Sequence, residues 1–120
     1  MSAAVRSGWR ARGHAGWWAF AVHRASGIAL AIFLPLHFWF LAKALGGASA
    51  LDGALRWTEA PLVKASEIGI VFLLAAHLTG GLRLLLVEFA GWKASWQPAL
   101  IATAGAAAAA CALLFALEVL

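Results

Sequence analysis

At 120 residues, 64% of them hydrophobic and 12% charged, the chain has a mean hydropathy of +0.89. A soluble domain of that length keeps too little of itself away from water to hide so much apolar surface, so most of it must face lipid or other helices. The net charge of +4 and isoelectric point near 10.3 would suit nucleic acid. The basic residues flank apolar runs instead of forming a patch, which argues for membrane orientation and against a nucleic-acid partner.

The N-terminal stretch carries Arg6, Arg10, Arg12 and His14 among Gly, Ala and Ser. A basic start before an apolar run also describes a signal peptide. Here the run continues uncharged from Ala25 to Ala42 with no small-residue cleavage site closing it early. It is read as a retained first helix, over approximately residues 18–45. At ~1.5 Å per residue its uncharged part covers roughly 27 Å, close to a bilayer core of about 30 Å.

The connection Gly46–Pro61 reads as a short loop. A second helix follows over approximately 62–90, of which only Ile68–Leu82 is strictly uncharged. Lys64 and Glu67 lie a turn apart at one end, Arg83 and Glu88 near the other, and long side chains there can reach the headgroups. As the most polar of the helices, it is expected to face protein or cofactor.

The third helix, approximately 95–119, is uncharged from Ala94 to Leu117. Its Gly105–Ala112 stretch is nearly all Ala and Gly, which suits close approach of a neighbouring helix. Cys111 lies in that stretch and is expected to be a buried, inert thiol. The fold expected is therefore all-α: one domain, residues 1–120, with three transmembrane helices.

Arg6, Arg10, Arg12, Arg24, Arg83 and Lys93 fall on one side of these spans, and Lys43, Arg56 and Lys64 on the other. The side with six should be cytoplasmic, which puts the N-terminus there. Trp17, Trp18, Trp92 and Trp96 then form an inner aromatic belt, and Trp57 marks the outer interface.

Three ionisable groups stand out: Arg24, His37 and His77. A histidine within a span needs a partner and is a functional candidate for that reason. Gly80 and Gly81 follow His77 at i+3 and i+4 on the same face, a shelf that lets a flat ring approach the backbone. Imidazole is a common axial ligand of haem iron. Arg83 and His23–Arg24 are placed to pair with haem propionates. The plainer alternatives are a His77 hydrogen-bonded to a neighbouring helix and arginines acting as topology anchors. If Arg24 and Glu88 mark one boundary, His37 and His77 fall roughly 20 and 17 Å from it, near one level, so that ligation of one haem by both is conceivable. Pro35 could re-aim His37 by kinking the first helix.

The segments HRASGIAL (His23–Leu30) and HLTGGLRLLLVEF (His77–Phe89) resemble the large cytochrome b, or membrane-anchor, subunits of succinate dehydrogenase. Their motifs read approximately H-R-x-[ST]-G in the first helix and H-x-x-x-G-[IL]-R-H-[LM] in the second, with an acid shortly after. Order, helix number and length also agree, so the resemblance covers most of the chain. It implies that His77 is the axial ligand of a haem b and Gly81 the small residue beside the ring. It implies that Arg83 is the family's arginine, Arg24 the arginine between propionate and quinone pocket, and His23 its propionate-side neighbour. Glu88 stands where an aspartate is usual, Leu84 where a histidine is usual, and Phe20 where many members have a serine lining the quinone site.

The implied setting is a bacterial inner-membrane complex. In it a flavoprotein subunit oxidises succinate, an iron–sulfur subunit relays electrons, and this chain packs in a bundle with a second, small anchor subunit. The chain would be non-catalytic alone and would help to form the site for a quinone, ubiquinone or menaquinone. The partner anchor is the expected source of the second haem ligand, with His37 as the intrachain rival. Two other readings stay open: a haem-free anchor of a related flavoprotein or fumarate reductase complex, and a small transporter subunit.

Overall fold

A computed structural model describes residues 15–120. Arg6, Arg10, Arg12 and His14 lie outside the described residues. Helix α1 runs Ala15–Leu41 and is followed by a 3₁₀ turn, Ala42–Gly46. Helix α2 spans Ala48–Trp57, α3 Pro61–Ala90, and α4 Gln97–Val119 after a 3₁₀ turn at Ala94–Trp96. No strand occurs among the described residues.

The helix ends follow local chemistry. Gly47, at φ 98°, and Gly91, at φ 81°, take left-handed backbone that other residues resist, and they close the chain after α1 and after α3. Pro61 opens α3 and Pro98 opens α4, where a missing N–H costs nothing. Pro35 sits inside α1 and leaves the Ala31 carbonyl without its helical donor.

α2 is a correction: Gly46–Pro61, read as a loop, holds a ten-residue helix with Asp52 and Arg56 among small and apolar residues. A short helix with no strong cap or long apolar run gives little signal in sequence. Lys64, expected beside Glu67, reaches back to pair with Glu59 at 3.0 Å.

Three segments are long and apolar enough to cross a membrane: Ala15–Gly46, Pro61–Ala90 and Ala94–Val119. The burial pattern agrees. The buried residues among those described are Ser26, Arg83, Gln97 and Ala108, whereas Ile32, Leu36, Phe38, Trp39, Leu78 and Leu117 are exposed. A protein with its polar groups inside and its large apolar groups outside is matched to lipid or to neighbouring helices, because no water is available to satisfy polar groups there.

α3 is the central helix, packing against both α1 and α4, as its polarity suggested. Its contacts fix the directions. His23 lies over Gly80 and Gly81 while Gly27 lies against His77, so α1 and α3 run antiparallel. Arg83 bonds Gln97 and Thr79 reaches the Ala104 carbonyl, so α3 and α4 are antiparallel too. Of the Ala-rich stretch on α4, Ala108 is buried but Gly105 has nothing near its Cα face. Cys111 is exposed, not buried; three helices cover only part of one another, and this thiol falls on the uncovered side.

Candidate functional site

The histidine pair on α1 and α3 is built from small residues. His77 projects from α3 onto α1 at Gly27, where a Cβ would stand 3.0 Å from Cε1 and 3.4 Å from Nδ1 of the imidazole. His23 projects from α1 onto α3, where a Cβ on Gly80 would stand 3.2 Å from its Nδ1 and one on Gly81 3.5 Å from its Cε1. Each histidine therefore occupies the space its partner helix leaves by having glycine. The two rings stack with centroids 4.4 Å apart and planes 2° from parallel. The shelf read at Gly80–Gly81 does receive a flat ring, and that ring is the imidazole of His23.

Ser26 completes the pair. It is fully buried, its Oγ donates to the His23 carbonyl at 2.9 Å, and it lies 3.3 Å from His77 Nδ1. Nδ1 is also 3.2 Å from that carbonyl. A carbonyl oxygen only accepts, so the proton between them must belong to Nδ1. Ser26 has committed its own hydrogen to the carbonyl, so its oxygen also accepts from Nδ1. Both contacts require the proton on Nδ1 of His77, and in the neutral ring that assignment leaves the lone pair on Nε2. Nε2 has no hydrogen bond to any described residue. His23 Nδ1, by contrast, is buried without a hydrogen-bond partner among the described residues.

Arg83, 9% exposed, donates from Nε to Gln97 Oε1 at 2.9 Å, and Gln97, 6% exposed, donates from Nε2 to the Lys93 carbonyl at 3.2 Å. Arg83 is thus held six residues, about 1.7 turns, from His77 on α3, between α3 and the start of α4. Lys93 lies over the Trp96 ring at 4.1 Å, and Lys43 over Trp39 at 4.2 Å. These cation–aromatic pairs suit the two interfaces of a membrane protein.

Arg24 is exposed, and its side chain makes no ion pair or hydrogen bond with any described residue. It follows His23, so it stands at the level of Gly80, eight residues and roughly 12 Å along α3 from Glu88. The assumption that Arg24 and Glu88 share one boundary therefore does not hold, and the levels derived from it change. His37 lies ten residues, roughly 15 Å, beyond Gly27 along α1. It is exposed beside Phe33, with ring centroids 5.3 Å apart, and Phe38. The structure brings together His77, His23, Gly81 and Ser26, and sets His37 apart from them.

Ser26 and Gln97 were not singled out from sequence. Ser26 is a hydroxyl three residues after His23, hence on its face of the helix, in an otherwise apolar run. Gln97 is a polar residue at the start of a span with a buried arginine opposite it. Both signals were present, but neither identifies a partner without the helix pairing.

No group of three or more His, Cys, Asp or Glu among the described residues could hold a bare metal ion. A single oriented imidazole nitrogen suits a metal whose other ligands come with it, as in a macrocycle.

A sequence model of the family described as succinate dehydrogenase/fumarate reductase transmembrane subunit matches residues 5–117. The chain is 30% identical over 78 residues to succinate dehydrogenase 2 membrane subunit SdhC of Mycobacterium tuberculosis, a match covering 65% of this chain and 57% of that protein. It is 32% identical over 75 residues to the succinate dehydrogenase hydrophobic membrane anchor subunit of Halobacterium salinarum, covering 62% of this chain and 58% of that one. The matched stretch thus spans less than three-fifths of either relative.

Proposed function

We propose a function from one premise: the chain belongs to the succinate dehydrogenase/fumarate reductase transmembrane subunit family. It is an integral, multi-pass membrane protein of that family, with three helices able to cross the bilayer. In our reading it is the haem b-carrying anchor of a succinate:quinone oxidoreductase in a bacterial inner membrane, with its N-terminus in the cytoplasm. Its partners are a flavoprotein subunit, an iron–sulfur subunit and a second, small anchor subunit.

The observation that carries this reading is the state of His77, whose Nδ1 is bonded to Ser26 and to the His23 carbonyl while Nε2 keeps its lone pair. An axial ligand needs such a nitrogen, and orientation through the opposite ring nitrogen is the usual second-shell arrangement. His77 would hold the iron, and Arg83 and His23 would face the propionates. The haem would supply a one-electron redox centre between the iron–sulfur subunit and quinone. A second protein ligand to the iron would come from the partner anchor, since His37 sits roughly 15 Å along α1 from the level of His77.

Arg24 would bind and orient the quinone. A guanidinium within a span requires a partner, and this one is exposed with no bond to any described residue. A charge-assisted hydrogen bond from it would hold a quinone oxygen and stabilise negative charge developing there on reduction. One observation favours a second reading: the His23–His77 stack is closely packed as it stands, as in a haem-free anchor where it only locks α1 to α3. The haem content of the purified complex separates the two. About one b-type haem per complex, lost in His77→Ala with the subunits still assembled, is expected; a wild-type complex without haem would favour the lock.

A further inference from the structure

We infer that Ser26 is a positioning residue that sets the electronic character of His77 as a metal ligand; the inference rests on the haem reading above. Ser26 is fully buried, and every other residue of its helix is half-buried or exposed. Its hydroxyl is committed twice: it donates to the His23 carbonyl at 2.9 Å and meets His77 Nδ1 at 3.3 Å. A serine that only relieved its own burial would need just the first of these bonds.

The second bond acts on the ring. Accepting a hydrogen bond from Nδ1–H draws the proton away from the imidazole and pushes electron density toward Nε2. A more electron-rich nitrogen stabilises the oxidised form of a metal bound to it more than the reduced form. The His23 carbonyl accepts from Nδ1 as well, at 3.2 Å. Because the Ser26 hydroxyl donates its own hydrogen to that carbonyl, the hydroxyl oxygen becomes the stronger acceptor toward Nδ1, and Ser26 acts on the ring while touching neither the metal nor the quinone. Gly27, the next residue, leaves the room that lets the ring reach this position.

The test uses the whole purified complex with this chain as wild type, Ser26→Ala or Ser26→Thr, reading haem content and the midpoint potential of the b-type signal. Ser26→Ala deletes one oxygen and keeps a good helix former, and the His23 carbonyl remains to hold the ring. It is expected to keep its haem and to move the midpoint potential upward, by more than replicate scatter. Ser26→Thr keeps a hydroxyl that can bond the carbonyl three residues back and is expected to return the potential toward wild type. A Ser26→Ala complex with wild-type haem content and potential would overturn the inference. So would a Ser26→Thr complex that departs as far as Ser26→Ala, because the effect would then be one of packing. A wild-type complex with no b-type signal would overturn the haem reading along with it.

Discussion

His23 and His77 lie face to face across α1 and α3, 4.4 Å apart and 2° from parallel, each seated on glycine of the opposite helix. The arrangement is reciprocal because the helices are antiparallel and each histidine has its glycine three or four residues later in its own chain direction. It makes the glycines as important as the histidines.

Gly27→Ala would place a methyl 3.0 Å from His77 Cε1, so the ring must move. A loss of about 1–3 kcal/mol is expected for such overpacking, together with lower haem occupancy. Gly105→Ala, at a position open to its surroundings, is expected to be neutral or to gain up to about 1 kcal/mol from helix propensity. Thermal unfolding of the detergent-purified complex compares the two; equal effects would contradict the seating.

Gln97→Leu would strand the buried Arg83 Nε, which bonds Gln97 at 2.9 Å. Leaving such a donor unsatisfied costs about 1–3 kcal/mol. In the double variant Arg83→Leu/Gln97→Leu the cost should be smaller than the sum of the single ones, and a double-mutant cycle on unfolding measures this. Strict additivity would mean that the bond contributes nothing.

Arg24→Ala removes an exposed guanidinium that makes no bond within the described chain. Subunit assembly and succinate oxidation with a soluble dye are expected to persist. Quinone reduction should fall roughly 10- to 100-fold, the loss of one charge-assisted hydrogen bond of about 1.5–3 kcal/mol. Steady-state assays with the two acceptors decide; parallel losses in both would place Arg24 in assembly instead.

Orientation is tested by inserting a reporter active only outside the cytoplasm. After Gly53, within α2, it should be active, and after Trp92, between α3 and α4, inactive. The reverse pattern would contradict a cytoplasmic N-terminus.

Much of this molecule is legible in its sequence. Apolar runs of membrane length announce themselves by composition, so the three spans were found, with ends differing by a few residues where Gly47 and the 3₁₀ turns intervene. The motif residues His23, His77 and Gly81 meet in space. Helix register is not legible in sequence: nothing in the spacing of Arg24 and Glu88 sets their relative depth, which the interlocking of His23 with Gly80 fixes. That register is what separates His37 from His77. The role of Ser26 was hidden for the same reason, since its partner lies 51 residues away. α2 is not legible in the sequence because a ten-residue helix has neither the length nor the uniform hydropathy of a span.

The most direct test is the reduced-minus-oxidised optical spectrum of the purified complex carrying wild-type chain, His77→Ala or His37→Ala. The account predicts a b-type signal in the wild type, its loss in His77→Ala, and its persistence in His37→Ala. A signal that survives His77→Ala would contradict the assignment of His77 as the axial ligand, and a wild type without any b-type signal would contradict the haem itself.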